Sequence, residues 1–224
     1  MEPHVPNRQS QPVKSAPLVY PSLYNGPINY YARLIREEQI ILEQYDHYSK
    51  QTYRNRCRLM GPNGIMTLSV PVKKRRGGKT LMRDILVDYD TPWNTIHWRS
   101  MVGAYAASPF FNLMREEYFP FYHRRFRYLI DLNMGLTTLT LGLIGADIPA
   151  TLTQEFCMPS GENAKSPWYH SKKKVEETDP GFHPPEYHQV FSERFGFRSN
   201  LSILDLLFNE GPDTLTRLKQ SLRT

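Results

Sequence analysis

Tyr45-Asp46-His47-Tyr48-Ser49-Lys50-Gln51-Thr52-Tyr53-Arg54-Asn55-Arg56-Cys57-Arg58 is the densest mixture of aromatic, cationic, amide and imidazole side chains in the chain. From Tyr53 onward it reads as a strand. Alternation then puts Tyr53, Asn55, Cys57 and Leu59 on one face and Arg54, Arg56 and Arg58 on the other. Three guanidinium groups in a row make a candidate anion site, because each is permanently charged and presents a planar fork that fits phosphate or carboxylate oxygens. The competing reading is a solvated edge whose charges discourage strand-to-strand association. Gly61-Pro62-Asn63-Gly64 follows, with Pro second and Gly fourth as a type I turn prefers. A β-hairpin is expected, its return arm running from Ile65 until Pro71 interrupts the ladder before Val72.

Upstream, Leu18-Val19-Tyr20 is a short apolar run stopped by Pro21, a Tyr/Asn/Gly/Pro loop follows, a helix is expected from Ile28 to Glu38, and Gln39 to Glu43 is apolar again. This order predicts a βαβ unit with two parallel strands. Ligands of such units bind at the carboxyl ends of the strands, where Tyr20, Tyr24, Asn25 and Gly26 follow the first strand and Gln44 to Lys50 the second. Residues 1–16, rich in Pro, Gln and Ser, read as a disordered leader.

Several blocks together resemble the WbqC-like family. Lys50-Gln51-Thr52-Tyr53-Arg54-Asn55-Arg56-Cys57 and Leu68-Ser69-Val70-Pro71-Val72 look like its signature. Trp93 with His97-Trp98, Ala104-Tyr105, Ser108-Pro109-Phe110-Phe111 and Ser202 to Pro212 look like its later blocks in the same order, and Tyr20-Pro21, Gly26-Pro27-Ile28 and Tyr30 like its opening. The resemblance runs from about Pro17 to about Gly211. It implies a role in bacterial surface-polysaccharide (O-antigen) production and names no reaction.

With 224 residues the chain corresponds to one large domain, taken as 17–222 with a mobile loop at about 159–185, where prolines and charges crowd out apolar residues. Hydrophobic residues make up 40% and charged residues 22%, which excludes a disordered composition. A net charge of +6 and a pI near 9.3 favour anionic partners. Cys57 and Cys157 have no disulfide or metal spacing, the N-terminus lacks the apolar core of a signal peptide, and the most apolar segment, Leu136 to Ile148, is too short to span a bilayer. A cytoplasmic protein without a transmembrane segment is expected, with no cofactor; the oligomeric state is left open.

The rest of the chain reads as follows. Lys73 to Lys79 is a basic, glycine-containing loop, and Met82 to Val87 reads as a strand ending at Asp88-Tyr89-Asp90, an acid pair of the kind that holds a divalent ion but one that arises easily by chance. No metal site is assigned. Thr91-Pro92 opens a helix that carries Trp93, His97 and Met101 on one face. Phe119 to Ile144 has a helical period closed by Gly145, with His123-Arg124-Arg125-Phe126-Arg127 in its early part. Asp147 to Glu155 makes a short element, Tyr187 to Phe195 a short helix, Ser202 caps a helix through Asn209, and Asp213 to Leu222 is an amphipathic tail.

The fold class is thus α/β, with α+β as the alternative: an N-terminal βαβ unit and a β-hairpin in a small mixed sheet, then a mainly helical C-terminal half. Two functions fit. One is a transferase of glycosyl, acyl or aminoacyl groups that takes a phosphate-bearing donor. In it Lys50, Arg54 and Arg56 bind anionic groups, Asn55, Tyr24, Tyr53 and Tyr105 orient substrate, and His47 or His97 is the general base. Asp205, a carboxylate within an apolar helix, would pair with a hairpin arginine and orient it. The alternative is a non-catalytic binder of a sugar nucleotide or of nucleic acid; no nucleic-acid motif is present, so nucleic acid is the weaker partner. Phosphate-binding loops, dinucleotide fingerprints, nucleophile elbows and zinc-protease helices are absent from the sequence.

Overall fold

In the computed structural model the described residues are 18–73, 79–157 and 181–222. The βαβ unit forms as expected. β1 (Val19–Pro21) and β2 (Ile40–Glu43) lie parallel with Tyr20 opposite Leu42, joined through α1 (Ile28–Leu34). A third parallel strand, β7 (Ala150–Leu152), docks on the other side of β2, giving the order β1-β2-β7. The short element read between Asp147 and Glu155 is this strand. Tyr20, Leu42 and Ile40 are buried, so β2 is central and apolar on its inner side, as a covered parallel strand requires.

The hairpin is β3 (Arg56–Gly61) with β4 (Gly64–Ser69), a sheet of its own closed by Pro62-Asn63, with Gly64 at φ +102°. β3 begins later than the alternation suggested. Thr52 to Asn55 turn instead of extending: Gln51 has φ +60°, and the Thr52 hydroxyl donates to Ser49 O while accepting from Arg54 N. Only Arg56 and Arg58 therefore share the half-exposed face of the strand, with Cys57 and Leu59 buried on the other.

The stretch Met82 to Val87 is only partly a strand. Asp46 O and Gln44 O accept from Met82 N and Arg83 N, so Met82–Asp84 coils into a 3₁₀ turn, and only β6 (Leu86–Val87) extends, antiparallel to β5 (Val72–Lys73). The helix α2 (Trp93–Tyr105) follows. Thr91 does not cap it with its side chain; Pro92 is the flanking residue.

The long helix expected from Phe119 to Ile144 is two helices, α3 (Phe111–His123) and α4 (Leu129–Leu143). Between them Arg124 and Tyr128 are extended. Tertiary pairing wins over helical period here: Val87 N donates to Arg127 O, Leu86 bridges Tyr128, Leu129 N donates to Ile85 O, and Phe126 N donates to Tyr89 Oη. Gly145, at φ +73°, ends α4 where expected.

The helix read over Tyr187 to Phe195 shrinks to α5 (Ser192–Phe195). α6 (Ile203–Glu210) is capped by the Ser202 hydroxyl, and α7 (Thr214–Gln220) packs on α1. Phe208 of α6 centres the aromatic core, edge-on to Tyr105, Phe111 and Tyr118 at 5.1–5.5 Å. The leader and residues 159–180 of the expected loop lie outside the described residues; within 181–185, Phe182 bridges Leu222 and His183 N donates to Ser221 O.

Candidate functional site

The loop after β1 meets the turn before β3, because Tyr24 N donates to Tyr53 O at 2.9 Å. Ser202 holds this junction from behind: its hydroxyl donates to Asn25 O, its amide to Arg58 O, and Ile203 N to Gly26 O. Asn25 itself has φ +41°, a left-handed conformation that Asn tolerates better than most residues.

Tyr24 points into the protein, where α2 brings His97 to it. Tyr24 Oη shares hydrogen bonds with His97 Nδ1 (2.8 Å) and Tyr122 Oη (3.2 Å), and Asn25 Nδ2 donates to Tyr122 Oη (2.9 Å). One phenolic hydrogen faces two neighbours, so the bonds are linked through the imidazole tautomer. Protonated at Nδ1, His97 donates to Tyr24 and leaves that hydrogen for Tyr122; protonated at Nε2, it accepts the hydrogen itself. Burial holds His97 down at about 4, only partly offset by a hydrogen bond to the Ser69 backbone, so the ring is neutral at pH 7. Burial also raises Tyr24 well above the usual phenol value, helped by the neighbouring Tyr122 and Cys57. Trp93 packs edge-on against His97 at 5.0 Å and buries an indole N–H with no partner among the described residues. Chemically, the pair is a neutral acceptor beside a protonated phenol, able to pass a proton without creating a buried charge at rest.

The cationic part of the site is smaller than the sequence suggested. The Arg54 guanidinium is buried in an ion pair with Asp46, and its backbone carbonyl accepts from Asn133 Nδ2 at 2.8 Å. Arg56 is half-buried with Tyr48 nearby: burial raises the Tyr48 phenol, while Arg56 and then Arg54 pull it back. Arg58 acts in the same way on Tyr53. Asn55 is buried and donates from Nδ2 to Val70 O, tying the turn to the end of β4. His47 and Lys50 are exposed, with His47 in a backbone bridge to Leu81.

Asp205 does not meet a hairpin arginine. It is 1% exposed at the start of α6, and its Oδ2 accepts from Tyr187 Oη (2.6 Å) and Gln189 Nε2 (2.7 Å), neutral donors that make a separate network reaching Tyr105. Burial raises its carboxyl above the usual range despite those bonds. The structure thus joins Tyr24 to His97 and to the Tyr53 backbone, places Tyr105 with Asp205, and leaves His47 and Lys50 at the surface. Asp46, Tyr48 and Tyr122 were missed. The only sequence signal for Tyr122 was its i+4 spacing from Tyr118, which reads equally as core.

Asp88 and Asp90 both face Lys73 Nζ, at 3.2 and 3.0 Å. Among the described residues no group of three or more His, Cys, Asp or Glu could hold a metal ion.

A short parallel sheet, a hairpin and a helical half packed on them define a mixed α/β protein. The chain belongs to the WbqC-like protein family, whose model matches residues 22–179. It is also similar to the uncharacterized protein Rv1507c of Mycobacterium tuberculosis, 26% identical over 215 residues, covering 82% of this chain and 90% of the relative. No solved structure matches it significantly. No helix among the described residues is long and apolar enough to cross a membrane.

Proposed function

We propose that the chain is a cytoplasmic group-transfer enzyme of bacterial surface-polysaccharide production that acts on a phosphate-bearing donor. The observation that carries this reading is the Tyr24–His97 pair, set where the loop after a parallel strand meets the Tyr53–Arg56 turn. Ligands of parallel sheets bind at such strand ends. Arg56 and Lys50 would take the phosphates, Tyr48 and Tyr53 would orient the donor, and Tyr24, backed by neutral His97, would hand a proton to the departing group and recover it from the acceptor. His47 is less suited than His97, because its side chain is exposed to solvent.

A second reading, a binding module without turnover, is favoured by how closed the pair is: His97 is 3% and Tyr24 0% exposed. A thermal-shift screen against nucleotide sugars, sugar phosphates and acyl-CoA, repeated with Arg56→Ala, locates the donor. Ligand at a hundred times its Kd adds about 2.7 kcal/mol, so the wild type shifts by several degrees with one class and the variant does not. Turnover of that donor, lost in His97→Gln while its binding persists, supports an enzyme. Unchanged turnover in the variant overturns the assignment of His97, and binding without any turnover leaves the second reading.

A further inference from the structure

The connection between α3 and α4 carries three arginines that the site above does not use. Arg124, Arg125 and Arg127 are exposed, and each guanidinium lies over an aromatic ring: Arg124 over Phe126 at 4.5 Å and Phe121 at 5.1 Å, Arg125 over Tyr89 at 5.2 Å, and Arg127 over Tyr128 at 5.2 Å. Among the described residues none of the three forms a salt bridge. The nearby acids are otherwise engaged, Asp88 and Asp90 with Lys73, while Asp131, one turn into α4, is raised by burial with no cationic neighbour counteracting it.

Stacking leaves the in-plane N–H groups of a guanidinium free and fixes the plane in which they point, so less entropy is lost when an oxyanion docks. The backbone beneath is fixed too. Val87 N holds Arg127 O, Tyr89 Oη accepts from Phe126 N, and Leu86 bridges Tyr128. Arg124 and Tyr128 at its two ends are extended, so the three arginines lie within one short connection.

We propose that the α3–α4 connection is a second anion site, which binds phosphate groups through Arg124, Arg125 and Arg127. It goes beyond the donor site, using none of Lys50, Tyr53 or Arg56. The phosphates come either from a phospholipid headgroup or from a soluble diphosphate, and the two arms of the test separate these sources.

The purified chain of residues 1–224 is tested for co-sedimentation with phosphatidylglycerol vesicles, with phosphatidylcholine vesicles as blank, and for binding of inorganic pyrophosphate by calorimetry. The wild type is expected to bind one of these probes, and Arg124→Gln/Arg125→Gln/Arg127→Gln to lose at least ten-fold in affinity. A control with the same change of charge, Arg99→Gln/Arg198→Gln/Lys219→Gln, keeps full affinity. The triple Arg→Lys variant, which keeps charge but not the stacked fork, loses several-fold. The proposal is overturned if neither probe binds, if the two Gln triples weaken binding equally, or if the Lys triple binds like wild type. Should the Gln triple fail to fold by circular dichroism, Arg125→Gln and Arg127→Gln singly take its place, each expected to lose three-fold or more and overturning the site if neither does.

Discussion

His97 and Asp205 are buried ionisable groups whose pKa values move in directions that destabilise the folded state, and they act at different ends of the acid range. His97 falls from 6.5 to about 4 on folding. Its unfolded form binds the proton more readily, so stability is intact above pH 6.5 and is lost as pH falls toward 4, by about 3 kcal/mol at 1.36 kcal/mol per unit. His97→Gln is less stable than wild type at pH 7, and that gap narrows by about 3 kcal/mol on going to pH 4; parallel melting curves would show that the imidazole does not titrate as described. For Asp205 the folded carboxyl lies above its unfolded value, so its charged form costs stability as pH rises past the ordinary carboxylate range near 3.9. Asp205→Asn keeps an oxygen for Tyr187 and Gln189 without the charge, and is expected to melt at or above wild type at pH 7. Asp205→Ala strands the buried Tyr187 hydroxyl and costs about 2 kcal/mol by chemical denaturation.

Among the elements, the entry to α6 does more than begin a helix. Ser202 caps Leu204 N and also donates to Asn25 O, so it joins the C-terminal helix to the loop that carries Tyr24. Ser202→Ala is expected to cost about 1 to 2 kcal/mol, the sum of a lost cap and an orphaned carbonyl, and to weaken donor binding as the loop loosens. A variant that loses stability with donor affinity intact would separate the cap from the site. The cap was legible in the sequence, as were β1, α1, β2 and the hairpin, because each rests on local periodicity and turn chemistry. Elements settled by distant partners were not. The break before α4 and the docking of β7 beside β2 follow from hydrogen bonds with Val87, Ile85 and β2, and nothing local announces that. The site shows the same division. Tyr24 and His97 were both singled out, but their contact, and the loss of Arg54 to Asp46, follow from a turn that replaces the first residues of an expected strand.

At the scale of the molecule, the two ends of the described chain close on each other. Leu218 and Leu222 of the tail are buried, α7 lies on α1, and Arg36 Nη2 donates to Leu222 O. Deleting residues 214–224 uncovers α1 and removes two buried leucines, each worth about 2 to 5 kcal/mol when cut back. Such a truncation is expected to lack a cooperative melt, and a normal melting curve would show that the N-terminal unit is stable alone.

The position of β7 also sets a schedule for synthesis. β2 leaves the ribosome about a hundred residues ahead of its second neighbour, roughly 5 to 20 s at ordinary rates of elongation. Throughout that wait one side of β2 offers unpaired amides and carbonyls to any extended segment nearby. The seam through Ser202 forms later still, so the nascent chain must be kept from pairing with its neighbours on a polysome until residues beyond 200 have emerged.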